Sequence, residues 1–137
     1  MSDRIYRFVE AMNVQSNDRI LEIGCGHGVA ASLICEKLKE GRYVGIDRSS
    51  SMVAAATKRN TAFISAGLAE FVVATAESWN LDRERFDKVL AMRVRFFHDQ
   101  PAEVSRLAER WLAPDGTLFV QYDEPGNDNA DVPMSGG

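Results

Sequence analysis

Short apolar runs that alternate with helical patterns restrict the fold of this 137-residue sequence more than any other feature. Five runs have the length and the apolar or β-branched content that predict buried strands. They cover 19–23, 43–47, 70–74, 86–92 and 117–122. Strands that alternate with helices form parallel sheets, because a crossover between parallel neighbours needs a helix-length connection. We therefore predict an α/β fold with three layers, a parallel sheet with helices on both faces.

The spacing of apolar residues and the signals at helix ends place the helices between these strands. The first predicted helix covers 3–12, and the second runs from Val29 to a stop signal at Gly41. Ser49 caps a third helix that continues to about Ala66. The residues expected on its packed side are Met52, Ala56, Arg59 and Phe63.

The last third of the sequence contains one more helix and a polar end. Pro101 suits the first turn of a helix that carries Trp111 on its apolar face. Both Trp111 and Trp79 are expected in the core or in a cleft wall. One domain is predicted over 1–123, since the chain is too short for a second. Residues 124–137 are polar and rich in glycine and proline, which predicts a flexible tail.

Charge and composition exclude several classes of partner. The net charge is −4 and no basic run is present, which argues against nucleic acid and anionic membranes. No apolar stretch approaches the length of about 20 residues that a membrane span needs. Because the charged N-terminus does not resemble a signal peptide, a cytoplasmic location is expected. Cys25 and Cys35 are predicted to be reduced and unpaired, and no metal site is predicted, because two thiols fall short of a structural zinc site.

Three glycines, Gly24, Gly26 and Gly28, follow the first predicted strand in the segment LEIGCGHGVA. Each glycine in a structured segment costs roughly 0.5–1 kcal/mol relative to alanine, so this turn must need bare backbone. Ligands of open α/β sheets bind at the carboxyl ends of the strands, and the turn lies there. The dinucleotide fingerprint G-x-G-x-x-G would need glycine in place of Val29, so a nicotinamide-dependent oxidoreductase is disfavoured.

An acid followed by G-x-G-x-G resembles the class I S-adenosylmethionine-dependent methyltransferases. Three later stretches, VGIDRSSSM, ATAESW and LAPDGTLFV, are similar to segments of that family in the same order, and FDKVLAMRVRFFHD resembles its fourth strand with the extension on the substrate side. Together they cover roughly residues 19–122. The resemblance implies a Rossmann-like sheet of strand order 3-2-1-4-5 and S-adenosylmethionine as methyl donor.

The resemblance also implies roles for individual residues. Asp47 would accept hydrogen bonds from both ribose hydroxyls, and Glu22 would brace the glycine turn or face the methionine amino group. At the position before Ala76, where the family often has an acid for the adenine amino group, this sequence has Thr75. The expected cofactor-binding residues are Glu22, Gly24, Cys25, Gly26, Gly28, Asp47, Arg48, Met52, Ala76, Glu77 and Met92.

The acceptor is expected near the segment that follows the fourth strand. His98 is the candidate catalytic base there, with Met92 and Phe97 nearby, and Arg93 or Arg95 could attract an anionic substrate. The alternative is that these are polar residues of an exposed loop. The MRVR stretch at 92–95 differs from the Asn/Asp-Pro-Pro-aromatic motif, which disfavours methylation of a nucleobase or an amide nitrogen.

The predicted function is transfer of a methyl group from S-adenosylmethionine to a small molecule. The alternative is a non-catalytic S-adenosylmethionine-binding module, or a subunit that needs a partner to complete the substrate site. The family's usual antiparallel hairpin is not recognisable after the fifth strand, so that strand is expected to be an uncovered edge. A homodimer or a partner chain is one way to cover it, and irregular folding of the acidic tail is the other.

Overall fold

The structure, a computed structural model, describes residues 3–79, 84–92, 101–121 and 131–135. Its strands are β1 (Arg19–Ile23), β2 (Arg42–Asp47), β3 (Ala69–Val73), β4 (Phe86–Met92), β5 (Leu112–Gln121) and β6 (Asp131–Ser135). Its helices are α1 (Asp3–Ala11), α2 (Val29–Cys35), α3 (Ser50–Arg59), α4 (Thr61–Ser65) and α5 (Pro101–Trp111). Across these ranges no helix has the length and apolar character to span a membrane.

The described strands form one sheet of order β3-β2-β1-β4-β5-β6. Strands β1 to β5 are parallel, which confirms the predicted order 3-2-1-4-5. The order reverses at β1, where Ile23 is in register with Ile46 of β2 on one side and with Ala91 of β4 on the other. The carboxyl ends of these three central strands therefore meet at one edge of the sheet, where α/β proteins bind ligands.

Alternation along the strands separates two apolar clusters, one on each face of the sheet. Leu21 and Ile23 of β1 belong to the cluster that includes Trp111 of α5, while Ile20 packs with residues of α1 and α2. Trp111 is fully buried, as its position on the apolar helix face predicts, and Trp79 is partly buried against the same cluster. The helices thus lie on both faces, in the predicted three layers.

The third predicted helix is interrupted at Asn60, between α3 and α4, and the prediction of its packed side is right for Ala56 and Phe63 but wrong for Met52 and Arg59. Met52 and Arg59 are exposed, whereas Val53, Ala56 and Asn60 are buried. These three positions share one helix face, rotated by about one residue from the predicted one. An apolar pattern misses this face because one of its members, Asn60, is polar and has its hydrogen bonds satisfied inside the protein.

Strand β6 corrects the prediction of an uncovered sheet edge at β5. It pairs antiparallel with β5, from Thr117 opposite Ser135 to Gln121 opposite Asp131. Pro133 has no N–H, but an edge strand tolerates proline because its outer side needs no ladder partner. Because β6 covers β5, the uncovered edge no longer gives a reason to expect a homodimer or a partner chain there. Of residues 124–137, expected as a tail, the structure describes 131–135, and these form the strand.

Candidate functional site

The glycine turn, residues 24–28, folds back onto the end of β2. The backbone N–H groups of Gly24 and Cys25 both donate to the carbonyl oxygen of Ile46, at 2.8 and 2.9 Å. Gly24, Gly26 and Gly28 have φ values of 76°, 55° and 86°. Side chains rarely adopt this left-handed conformation, so the path of the turn itself accounts for all three glycines.

Gly26 and Gly28 differ in what surrounds them. A Cβ atom at Gly26 would have no atom within 4 Å, so its bare backbone faces open space. A Cβ atom at Gly28 would lie 2.6 Å from Nδ2 of Asn60 and 3.0 Å from the Cα of Ala56. Gly26 is thus the glycine that leaves room for a bound molecule, whereas Gly28 makes room for α3.

Asp47, at the carboxyl end of β2, is bonded directly to the glycine turn. Its Oδ2 accepts from the N–H of Gly26 at 2.9 Å, and its Oδ1 accepts from the N–H of Ser49 at 2.9 Å. A carboxylate has about four lone-pair sites, so each oxygen can accept one further bond. The half-buried Asp47 therefore has acceptors left for a vicinal diol beside the open backbone of Gly26.

Glu22 is buried, only 2% exposed, and forms a hydrogen bond with Tyr43 of β2. The Tyr43 hydroxyl donates to Oε1 of Glu22 at 2.6 Å. Burial raises the pKa of Glu22 to about 8, the Tyr43 hydrogen bond opposes this rise, and the charge of Asp47 adds to it. Glu22 is therefore largely protonated at neutral pH.

The two cysteines are unpaired and buried. Burial is the main cause that raises the pKa of the Cys25 thiol far above its usual range, and it raises that of Cys35 to about 12. A thiol with such a pKa is neutral at physiological pH and a poor nucleophile. Cys25 therefore contributes its backbone and its packing to the turn. Among the residues that the structure describes, no cluster of side chains could hold a metal ion.

The segment after β3 is tied to the same edge. The N–H of Ala74 donates to the carbonyl oxygen of Asp47 at 3.0 Å, so this segment begins next to the carboxylate. In this segment Ala76 is buried and Glu77 is exposed. The hydroxyl of Thr75 is hydrogen-bonded to the hydroxyl of Ser78. These positions agree with a wall around a flat group bound beside Asp47.

Three other predicted residues follow or end strands at this edge of the sheet. Arg48 and Met52 are exposed at the start of α3, and Met92 is partly buried at the end of β4. Val73, which the sequence analysis did not single out, is in register with Asp47 and exposed. Only the strand register shows that Val73 lies beside Asp47.

The candidate substrate side falls mostly outside the described ranges. His98, Arg93, Arg95 and Phe97 belong to this undescribed segment, so their roles remain predictions. Gln121, which the sequence analysis also passed over, lies at the end of β5 in register with Met92 and is 1% exposed. Within the described structure neither amide atom of Gln121 has a hydrogen-bond partner.

Comparison with known proteins identifies the family to which the chain is similar. A family model described as a methyltransferase domain matches residues 20–116. The phthiotriol/phenolphthiotriol dimycocerosates methyltransferase of Mycobacterium leprae is 36% identical over 114 residues, which are 82% of this chain and 40% of that protein. The fatty-acid O-methyltransferase of Mycolicibacterium smegmatis is 33% identical over 97% of this chain and 50% of its own length. The chain thus spans half or less of these two relatives.

The fold has solved counterparts as well. A methyltransferase from Thiobacillus denitrificans, solved with S-adenosylhomocysteine, superposes with a TM-score of 0.74 at 21% identity, over 88% of this chain and 48% of that one. The glycine turn, the acid at the end of β2, the strand order and the family match together place this chain in the class I S-adenosylmethionine-dependent methyltransferase family.

Proposed function

We propose that this protein transfers the methyl group of S-adenosylmethionine to a small-molecule acceptor. One observation supports the cofactor site most directly. The N–H of Gly26 donates to Oδ2 of Asp47, the residue proposed to bind the ribose, at 2.9 Å, and a Cβ atom at Gly26 would have no atom within 4 Å. A ligand can approach the backbone there and meet a carboxylate at the same time.

The chemistry asks little of the protein beyond geometry. S-adenosylmethionine supplies an electrophilic methyl group on a positively charged sulfur, so no acid is needed to activate it. The protein has to orient donor and acceptor and, for some acceptors, remove a proton. Asp47 would hold the ribose hydroxyls, Gly26 would admit the chain of the cofactor, and Ala76 would lie beside the adenine. His98 is proposed as the base, since it follows β4 on the acceptor side.

A small molecule is proposed as the acceptor on two grounds. The net charge of −4 disfavours a nucleic-acid backbone as substrate. The two relatives are named for methylation of phthiotriol and phenolphthiotriol dimycocerosates and of fatty acids, which are not macromolecules of the protein or nucleic-acid class.

Calorimetry and a turnover assay on the isolated chain test the proposal. S-adenosylmethionine and S-adenosylhomocysteine should bind in the micromolar range, with and without EDTA, and NADH should not bind. Release of S-adenosylhomocysteine should then appear with at least one member of a panel of fatty acids, short carboxylic acids, alcohols and amines. Binding of NADH but not S-adenosylmethionine would overturn the cofactor, and turnover only with RNA or protein would overturn the acceptor class.

A further inference from the structure

We propose that Asn60 is a positioning residue for the glycine turn, and that its side-chain amide holds the turn in the shape that binds the cofactor. The inference rests on the proposed cofactor site and adds a residue that does not itself reach the ligand. Asn60 lies between α3 and α4, away from the sequence motifs, and is 1% exposed.

The amide of Asn60 is fully used within the protein. Nδ2 donates to the carbonyl oxygen of Gly28 at 3.1 Å and to that of Ala56 at 3.0 Å. The Ser32 hydroxyl, at 2.7 Å, donates to Oδ1 and so fixes which way the amide points. A buried amide without partners would be costly, so these bonds lock the side chain in one orientation. The bond to Gly28 joins positions 32 residues apart in the chain.

The same end of α3 also holds the neighbouring peptide of the turn. Nε of Arg59 donates to the carbonyl oxygen of His27 at 3.0 Å. Two successive carbonyl groups, those of His27 and Gly28, are therefore bonded to two successive side chains of one helix end. The bare Cα of Gly28 lets this helix end approach closely, because a Cβ there would overlap Asn60 Nδ2.

The other end of α3 is bonded to the site through Asp47. Oδ1 of Asp47 accepts from the N–H of Ser49, the residue that caps α3, and Oδ2 accepts from Gly26. Helix α3 therefore connects Asp47, which is proposed to bind the ribose, to Gly28 at the far end of the glycine turn. A turn held at both ends loses less conformational freedom when a ligand binds, so its affinity is higher than that of a loose turn.

Thr61 provides a matched control at the same junction. Its hydroxyl is near the carbonyl oxygens of Thr57 and Lys58, at 3.2 and 3.0 Å, and contacts nothing in the turn. Thr61→Ala removes a side-chain bond to the last turn of α3 without changing the link to Gly28. A general weakening of the helix junction and a loss of turn positioning can therefore be separated.

The experiment compares Asn60→Ala, Asn60→Asp and Thr61→Ala in the full chain by two readouts. Calorimetry with S-adenosylhomocysteine, well below the melting temperature of each variant, should show about tenfold weaker binding for both Asn60 variants and less than about twofold for Thr61→Ala. Asn60→Asp keeps the size and the acceptor for Ser32 but cannot donate. Hydrogen exchange without ligand should be faster at the amides of residues 24–28 in the Asn60 variants alone.

Two results would overturn the inference. One is an Asn60 variant that is folded, with parental exchange in the turn and parental affinity, and the other is a Thr61→Ala variant that loosens the turn equally. If neither Asn60 variant folds, Asn60→Ser is the substitute, because a serine hydroxyl can still donate to the carbonyl oxygen of Ala56, four residues earlier, but is too short to reach Gly28, so exchange in the turn should still be faster. If the parent chain fails to bind S-adenosylhomocysteine, the proposed function is wrong, while the exchange comparison still decides whether Asn60 positions the turn.

Discussion

The Tyr43 hydroxyl passes over Gly45 at a distance that only glycine permits. A Cβ atom at Gly45 would stand 2.6 Å from the hydroxyl oxygen and 3.0 Å from Cε1 of the ring. The same hydroxyl donates a hydrogen bond to the buried carboxyl group of Glu22 at 2.6 Å. Glycine in the middle of a strand generally weakens it. Gly45 is nevertheless required in β2, because it leaves the space that Tyr43 needs to reach Glu22.

Gly45→Ala should destabilise the protein because the new methyl group displaces Tyr43 from Glu22. In an unconstrained strand position the same change would stabilise by roughly 0.5–1 kcal/mol. Here a loss of about 1–3 kcal/mol is expected, the typical cost of overpacking together with a weakened buried hydrogen bond. Urea unfolding measures the change, and a variant at least as stable as the parent would show that Tyr43 does not need this space.

Glu22 should make the stability of the protein fall as the pH rises from about 4.5 to about 8. Burial raises its pKa from 4.5 to about 8, so the folded state holds a proton that the unfolded state has released. The contribution is fully present below pH 4.5 and is lost as the pH rises through about 8. Glu22→Gln keeps a neutral partner for Tyr43 and should remove this slope. Parallel unfolding curves of parent and variant between about pH 5 and about pH 9 would contradict the assignment.

Asp47→Ala should weaken binding of S-adenosylhomocysteine by ~2–4 kcal/mol, since both ribose hydroxyls lose a charged acceptor. The N–H groups of Gly26 and Ser49 lose their acceptor as well, so part of the effect arises from a looser turn. Asp47→Asn keeps the shape and one acceptor oxygen and should lie between parent and alanine variant. Calorimetry on variants shown to be folded by circular dichroism decides, and parental affinity in Asp47→Ala would exclude the ribose role.

Gly26→Val and Gly67→Val form a matched pair. Both glycines have positive φ, 55° and 79°, and a Cβ at either would meet nothing within 4 Å. Both substitutions should therefore cost a similar strain of roughly 1–2 kcal/mol. Only the change at Gly26 places a branched side chain where the cofactor is proposed to lie, so only that variant should lose affinity for S-adenosylhomocysteine. Equal affinities in calorimetry would remove Gly26 from the site.

Gln121→Leu should stabilise the protein by about 1 kcal/mol, because it removes a buried amide without hydrogen-bond partners in the described structure. Gln121→Glu is the control and should destabilise, since a carboxylate is buried at greater cost than an amide. Thermal and urea unfolding measure both changes. A less stable Gln121→Leu variant would mean that the amide gains a partner in solution.

The sequence by itself determined the architecture and indicated the edge of the sheet at which the cofactor is proposed to bind. The predicted strands at 19–23 and 86–92 match β1 and β4 residue for residue, and the parallel order 3-2-1-4-5 agrees as well. Such features are visible in a sequence because they depend on periodicity, end signals and motif spacing within short segments. The position of Asp47 at the end of its strand follows from the same local patterns.

Only the tertiary structure decided which neighbours these segments have. The Asn60 amide meets Gly28 over 32 positions and Tyr43 meets Glu22 over 21, and no local pattern encodes either contact. The pairing of β6 with β5 is likewise not encoded locally. The segment around Pro133 has a composition typical of a loop and becomes a strand only beside β5. Local propensity is weak compared with the free energy of pairing and burial, so residues whose partners are distant in sequence take their conformation and their role from the assembled fold.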